Sequence, residues 1–115
     1  MTLTKISTQE PLVFGEAVGL SPAGAEPAAQ ARLASSVTLD DGRGEAGIWQ
    51  CSPGQFKRKV MQAEYSYIVS GEGSFTPLGG EPINFAAGDV LYFSANTLGL
   101  WDIRSTVRKT YIILS

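Results

Sequence analysis

The sequence predicts an all-β domain of eight to ten short antiparallel strands with little helix. Between Glu64 and Trp101, apolar runs of strand length alternate with breaks that contain glycine, which is the pattern of successive hairpins. No long segment shows helical periodicity, and the sequence contains no internal repeat. Short strands at this spacing are typical of a β-sandwich or a β-barrel.

Length and composition indicate one globular domain. The 115 residues are 43% hydrophobic and 17% charged, and a chain of this length can bury a core without disulfide bonds. The net charge of -2 gives no electrostatic reason to expect nucleic acid or a membrane as a partner. A single cysteine, Cys51, and an N-terminus without a basic start and a long apolar run favour a cytoplasmic protein.

Residues 1–35 are the least regular part, and we expect them to form an N-terminal arm on a barrel of residues 36–115. Pro11–Phe14 is apolar enough for a short edge strand. Ala28–Leu33, which follows Pro27, is compatible with one or two helical turns or with an arm wrapped over the barrel.

The strand pattern begins after residue 35. Val37–Leu39 and Ala46–Cys51 are strand-like, and the Asp and Gly residues of Asp40–Gly44 form a turn between them. Ser52–Gly54 is a second turn. Gln55–Val60 is a further strand, and it carries three cations in succession.

Glycine divides the segment that follows. We expect Gly71–Gly73 to end a strand and Gly79-Gly80 to form a two-residue hairpin loop, since glycine adopts positive φ without strain. Gly88-Asp89 opens another strand. The final strand is rich in β-branched residues, and its apolar run Tyr111–Leu114 lacks alternation, so we expect both of its faces to be covered.

The complete absence of histidine restricts the chemistry. The chain has no Ser–His–Asp or Cys–His catalytic group and no zinc or iron site built on histidine. Most of the familiar arrangements of catalytic residues in enzymes are thereby excluded.

Four segments of the chain occur in an order that resembles a known family: GIWQCSPGQF, EYSYIVSGEG, FAAGDVLYF and WDIRSTVRKTYIIL. With Glu64 ahead of Gly71, and Gly88-Asp89 at the start of a strand, they are similar to the two motifs of the cupin family. The resemblance spans Val37–Leu114 and is strongest to short single-domain cupins of the ureidoglycine aminohydrolase and ethanolamine-utilisation Q types. It implies a double-stranded β-helix, or jelly roll, closing into a small barrel whose interior commonly holds a ligand or a metal ion.

The positions at which metal-binding cupins carry their ligands differ in this sequence. By the resemblance, the histidines of the first motif fall on Lys57 and Lys59 or on Arg58 and Val60, and that of the second motif falls on Gly99. Of the four ligands, Glu64 alone is present, and a lone carboxylate is a poor site for a first-row metal. We therefore expect neither a metal ion nor another cofactor.

Strand alternation and the family's ligand positions together indicate which side chains face the barrel interior. The predicted inward residues are Leu91, Phe93, Gly99, Trp101 and Ile103, with Glu64, Ser66 and Ile68 on an earlier strand. Glycine at position 99 beside Trp101 leaves room over an aromatic surface, which predicts a small-molecule pocket. Its predicted ligand-binding residues are Trp49, Cys51, Arg58, Glu64, Phe93 and Trp101. Lys109 and Tyr111 are further candidates on the last strand, whose orientation the sequence does not fix.

The same residues also have structural interpretations. Trp49 and Trp101 are compatible with core packing, and Cys51 with a small buried hydrophobic side chain. The three consecutive cations are compatible with a solvated face. Glu64 is compatible with a buried ion pair to Arg58 or Lys57, or with a role as catalytic acid or base.

Three functions are compatible with these features. The barrel would bind a small polar or anionic molecule, without a metal ion, between Trp101 and a cation such as Arg58. Alternatively, the protein would be a metal-independent isomerase or lyase that uses Glu64 as acid or base. Finally, it would be a structural, dimerising protein with a filled barrel. Tyr65, Tyr67 and Val69 are expected on the outer face, where they favour a homodimer.

Overall fold

The computed structural model describes residues 3–20 and 28–115, and within them eight strands form an all-β fold. The strands are β1 (Val18–Gly19), β2 (Gln30–Thr38), β3 (Gly44–Cys51), β4 (Gly54–Val60), β5 (Glu64–Pro77), β6 (Ile83–Ala86), β7 (Val90–Phe93) and β8 (Thr97–Leu114). One short 3-10 turn, Asp40–Gly42, joins β2 to β3. The predicted fold class is confirmed, since every strand pairing is antiparallel.

Strands β5 and β8 are long enough to run through both halves of the molecule. The C-terminal half of β8 pairs with β3 and with the start of β5, whereas its N-terminal half pairs with β4 and with the end of β5. β2 and β1 extend the larger half beyond β3, and β7 and β6 flank the two ends of β5. The halves β1-β2-β3-β8-β5-β7 and β4-β8-β5-β6 therefore share their central strands.

Glycine bends β5 between the two halves. Gly71 has a φ of 89°, and a Cβ atom there would overlap the backbone oxygen of Thr106 on β8. The register between β5 and β8 shifts around this position. The prediction that Gly71–Gly73 ends a strand is therefore wrong, because these residues bend one continuous strand against its neighbour.

The hairpin between β5 and β6 is centred one residue earlier than predicted. The backbone N–H of Gly80 donates to the oxygen of Pro77 at 2.9 Å, which places Leu78 and Gly79 at the centre of the turn. Gly79 has a φ of 75°, as the third residue of a type II turn requires. The predicted Gly79-Gly80 loop is therefore wrong in its register.

An N-terminal arm runs along the outer face of the larger half. The guanidinium of Arg108 donates to the backbone oxygen of Thr8 at 3.0 Å and to the carboxylate of Glu10 at 2.8 Å, and it lies 5.4 Å from the ring centroid of Phe14. Ile48, on the opposite face of β3 from the barrel interior, is fully buried. Arg108, which the arm contacts, and the buried Ile48 lie on the same face of the larger half.

Two expectations for residues 1–35 are corrected. Pro11–Phe14 belongs to no strand, and its chain continues to Gly15, whose N–H donates to the oxygen of Leu33 at 2.8 Å. Helical turns over Ala28–Leu33 are wrong, because pairing with β3 extends the chain from Gln30 onward. The predicted boundary after residue 35 falls inside β2. Residues 1–2 and 21–27 of the predicted arm lie outside the described residues.

Trp101 is the centre of the barrel core. It is almost fully buried. Five aromatic rings have their centroids 5.1–6.2 Å from its own: Trp49, Phe56, Phe75, Phe85 and Phe93. The rings come from strands of both halves, so their packing joins the two halves. Each such aromatic pair adds about 0.5–1.5 kcal/mol to the stability beyond the effect of its buried area. The predicted inward orientation of Phe93, Gly99, Trp101 and Ile103 is confirmed by their burial.

The outer face is exposed at the start of β5 and at the end of β8. Tyr65 and Tyr67 face solvent, as predicted from alternation, but so do Ile112 and Leu114. The expectation that both faces of the last strand are covered is therefore wrong for this part of β8. Among the described residues, no helix has the length and apolar character needed to cross a membrane.

Candidate functional site

A cavity of about 150 Å³ opens into the barrel between its two halves. Its apolar wall includes Leu33, Trp49, Phe56, Val60, Trp101 and Ile113. Its polar wall consists of Glu45, Arg58, Glu64, Lys109 and Tyr111. A site with an aromatic surface and a few converging polar groups is the usual form of a small-molecule pocket.

A buried ion pair forms the deepest polar part of this cavity. The ammonium of Lys109, a residue only 4% exposed, donates to Oε2 of Glu64 at 2.7 Å. The hydroxyl of Ser66 donates to the same oxygen, also at 2.7 Å. Lys109 lies beside Ile68 in the sheet register, so its long side chain runs along the interior to reach Glu64 at the start of β5. The two hydrogen bonds hold the carboxylate in one orientation.

Aromatic rings surround the Lys109 ammonium. Its nitrogen lies 4.7 Å from the ring centroid of Trp49, 5.1 Å from that of Trp101 and 5.7 Å from that of Phe93. Ring faces attract a cation, and more strongly when the cation is desolvated. Burial nevertheless lowers the pKa of Lys109 below its usual value, against the opposing effect of Glu64. Its amine therefore loses a proton more readily than that of a surface lysine.

Tyr111 and Glu45 form a second hydrogen-bonded pair on the same cavity. The phenol of Tyr111 donates to Oε2 of Glu45 at 2.5 Å, and the hydroxyl of Ser36 lies 3.5 Å from the phenol oxygen. Burial, with the hydrogen bond to Glu45, raises the pKa of Tyr111 to about 12. The phenol is consequently protonated at neutral pH and serves as a hydrogen-bond donor.

Arg58 lines the cavity where it meets solvent. Phe56, Arg58 and Val60 line the cavity, whereas Lys57 and Lys59 project from the opposite face of β4. Within the described part of the chain, Arg58 forms no ion pair. Its charge contributes to the lowered pKa of Lys109, so the two cations influence one another across the cavity.

The predicted site residues divide into two groups. Trp49, Arg58, Glu64 and Trp101 line the cavity. Cys51 and Phe93 are buried in the core and contribute no wall to it. Burial also raises the pKa of the Cys51 thiol to about 12, which keeps it protonated and unreactive at neutral pH.

Two details of the expected pocket are corrected. The room expected beside Gly99 is filled, because a Cβ atom at that position would overlap the ring of Phe75. The partner of Glu64 is Lys109, neither Arg58 nor Lys57. The open space lies on the other side of Trp101, where Lys109 and Tyr111 enter from β8.

Glu45 is a cavity residue that the sequence interpretation missed. It stands four positions before Trp49 on β3, so strand alternation places both side chains on one face. Strand alternation on β3, with Trp49 facing inward, is the sequence signal that predicts this position for Glu45. Lys109 and Tyr111 share a face in the same way, but the mixed polar and apolar pattern of β8 gave no indication of which face was inward.

The resemblance to cupins suggests a transition-metal ion in the barrel, but the residues of this cavity do not fit one. Oε2 of Glu64 already accepts hydrogen bonds from Lys109 and Ser66, and the neighbouring ammonium would repel a second cation. Residues 3–20 and 28–115 contain no group of three or more His, Cys, Asp or Glu side chains arranged to hold a metal. Here Glu64 acts as a hydrogen-bond acceptor and as the counter-ion of Lys109.

The sequence from residue 38 to residue 111 matches the family profile of the EutQ-like cupin domain. A search of curated proteins found no significant match. Several solved structures are similar. The EutQ protein of Clostridium difficile is 11% identical, with a TM-score of 0.65 over 75% of this chain and 68% of that chain.

Two proteins from Thermotoga maritima are also similar in structure. A predicted oxalate decarboxylase is 17% identical, with a TM-score of 0.68 over 97% of this chain and all of that chain. A DUF861 family protein is 25% identical, with a TM-score of 0.57 over 58% of this chain and 76% of that chain. The similarities at 11% and 17% identity establish the fold alone.

Proposed function

The chain belongs to the EutQ-like cupin domain family, and we propose that its barrel binds a small anionic molecule without a metal ion. The cavity carries the proposal, because it is open, partly aromatic and lined by Arg58, which forms no ion pair among the described residues. Fold alone would not specify this function, since one fold hosts many activities.

The volume of the cavity limits the size of the ligand. A cavity of about 150 Å³ accommodates a molecule of roughly six to ten non-hydrogen atoms, comparable with benzene and its simple derivatives. Pockets that bind drug-sized ligands are larger, with volumes of about 300–1,000 Å³. A short carboxylic acid fits this limit, whereas a nucleotide or a disaccharide does not.

Arg58 is the feature of the cavity that favours an anion. Two cations, Arg58 and Lys109, and two carboxylates, Glu45 and Glu64, line the cavity. Lys109 is paired with Glu64, whereas Arg58 forms no ion pair among the described residues. A guanidinium binds a carboxylate through two parallel hydrogen bonds, so a ligand carboxylate is its natural partner.

A second candidate is a metal-independent enzyme that uses Glu64 as acid or base. The hydrogen bond between Glu64 and Lys109 favours it, because a carboxylate and an amine of lowered pKa beside a cavity can exchange a proton. Tyr111 lies on the same wall, where its hydroxyl proton is donated to Glu45. A purely structural role with a filled barrel is disfavoured by the open cavity.

Native mass spectrometry of gently purified, untagged protein tests the binding function. We expect a reproducible extra mass that is lost on denaturation, or one that appears when short carboxylic acids are added. Arg58→Gln should weaken this retention, while Lys57→Gln, on the opposite face of the same strand, should leave it unchanged. A bare chain in all of these samples would contradict the proposal, and one tightly held metal equivalent per chain would contradict its metal-free part.

The same samples distinguish binding from catalysis. NMR spectra of a retained acid after incubation with the protein should show it unchanged if the protein only binds it. Conversion that Glu64→Gln abolishes, with retention preserved, would favour the enzyme instead.

A further inference from the structure

The Lys109 amine has the position of a nucleophile. Its side chain is buried by the barrel, yet it forms part of the cavity wall. An ammonium has three N–H donors, and among the described residues Nζ donates only to Glu64. The remaining directions are occupied by ring faces and by the cavity, so a molecule in the cavity meets the amine without displacing a hydrogen bond to protein.

The surroundings of Lys109 also suit a cationic product. Glu64 and the rings of Trp49 and Trp101 stabilise a positive charge at Nζ. A protonated iminium, formed from a lysine and a carbonyl compound, carries its charge at the same nitrogen. The site therefore stabilises the reactant ammonium and the product iminium alike, while Glu64 lies close enough to accept the proton that must leave.

Arg58 supplies a second point of recognition. It lies on the wall of the same cavity, nearer to solvent, and has no ion-pair partner in the described ranges. A ligand with a carbonyl group at Lys109 and a carboxylate at Arg58 would satisfy both cations.

We infer that Lys109 captures small carbonyl compounds as a covalent iminium, and that Arg58 favours those that also carry a carboxylate, namely short oxo acids. The inference deepens the proposed binding of small anions and rests on it.

The reaction balances with the groups at the site. Glu64 accepts a proton from the Lys109 ammonium, and the nitrogen lone pair attacks the carbonyl carbon to form a C–N bond. The electron pair of the C=O bond moves to oxygen, and one of the two protons on the attacking nitrogen transfers to that oxygen, which gives a neutral carbinolamine. The C–O bond then breaks as Glu64 returns its proton to the leaving hydroxyl, and water departs. The products are a C=N iminium cation and an ionised Glu64, so no oxidant or reductant is needed.

Reductive trapping tests the inference. The protein is incubated with glyoxylate, or with the uncharged two-carbon aldehyde glycolaldehyde, in the presence of cyanoborohydride, and the adducts are located by peptide mass spectrometry. We expect glyoxylate to label Lys109 in preference to the exposed Lys57 and Lys59, and Lys109→Arg to lose that label. Label on the exposed lysines with none on Lys109 would overturn the inference. This comparison is made within the wild-type chain, so it stands even if the variant fails to fold.

Arg58→Gln tests the choice of an oxo acid. In the wild type, we expect the ratio of glyoxylate label to glycolaldehyde label to be higher at Lys109 than at Lys57. In Arg58→Gln, the ratio at Lys109 should fall to the value at Lys57. An unchanged ratio would remove Arg58 from the inference.

Native mass spectrometry without the reductant separates this inference from the proposed function. Glyoxylate retained by the wild type and by Lys109→Arg, with no label on wild-type Lys109, would overturn the iminium and leave anion binding intact. Failure to retain any short acid would count against anion binding itself.

Discussion

Lys109 places a positive charge beside Glu64, which is the one ligand of metal-binding cupins that this sequence keeps. Desolvating a lysine and a glutamate is costly, and their attraction offsets that cost only when the geometry is good. Here the 2.7 Å contact, the second donor from Ser66 and the surrounding aromatic rings meet that condition. The pair therefore holds the polar wall of the cavity in one arrangement.

Removing either partner should destabilise the fold strongly. We expect Glu64→Gln and Lys109→Met each to lower the free energy of unfolding by about 3–5 kcal/mol, because each leaves a buried charge without its counter-ion. The double variant should lose less than the sum of the two single variants, since no unpaired charge is left. Urea denaturation of the four proteins measures this coupling.

An exposed ion pair provides the matched control. Arg104 and Asp102 are 3.9 Å apart on the surface of β8. Asp102→Asn should cost less than about 1 kcal/mol, as is usual for exposed pairs. Additive losses for Glu64 and Lys109 would show that the two charges do not stabilise one another.

The sequence predicted a residue's place in the site where strand alternation agreed with an aromatic side chain or with a ligand position of the cupin family. Trp49, Glu64 and Trp101 were assigned to the site in this way, and all three line the cavity. The partner of Glu64 was assigned wrongly because Lys109 is 45 positions away in sequence. Pairing between distant strands sets that contact, and nothing local in the sequence of β8 encodes it.

Strands β5 and β8 show why the order of elements was easier to predict than their ends. Glycine with positive φ serves equally in a hairpin turn and in a bend within a strand. At Gly71 the deciding feature is the backbone of Thr106 on another strand, so local sequence could not separate the two possibilities. Turns that end strands at Asp40–Gly42 and Gly88 were predicted correctly, because a Cβ atom at Gly42 or Gly88 would meet no other atom and the local sequence was sufficient.

The two kinds of glycine should respond differently to substitution. Gly71→Ala should be strongly destabilising, because it adds both positive-φ strain and overlap with β8. Gly79→Ala, at a φ of 75° with no atom near its added Cβ, should cost only the strain, about 1–2 kcal/mol. Thermal and urea denaturation of both variants measure the difference. Equal losses would mean that contact with Thr106 does not restrict β5 at its bend.

At the scale of the whole molecule, the outer face of the larger half has a covered and an uncovered part. The N-terminal arm contacts the part around Arg108. The part formed by β7, β5 and the end of β8 presents a contiguous patch of apolar and aromatic side chains, and its members are Tyr65, Tyr67, Val90, Tyr92 and Ile112. Their exposure ranges from 40% for Ile112 to 65% for Tyr92.

We propose that a second copy of the chain covers this patch. The residues lie side by side on one face of three paired strands, so a twofold axis between two copies, parallel to this face, would bring identical rows of tyrosines together. Tyrosine suits such an interface because its ring buries apolar area while its hydroxyl can stay hydrated. The net charge of -2 per chain opposes this association only weakly.

Light scattering coupled to size-exclusion chromatography tests the dimer. We expect a mass of twice the 12.2 kDa chain at micromolar concentration, and a shift to the single-chain mass in Tyr65→Glu, since burying a carboxylate at the centre of the interface is costly. Leu78→Glu is the matched control, because Leu78 is exposed and apolar but lies in the β5–β6 turn away from the patch. A single-chain mass for the wild-type protein, or equal dissociation by both variants, would contradict an interface at this face. A dimer that survives Tyr65→Glu and Tyr92→Glu would place the contact elsewhere on the molecule.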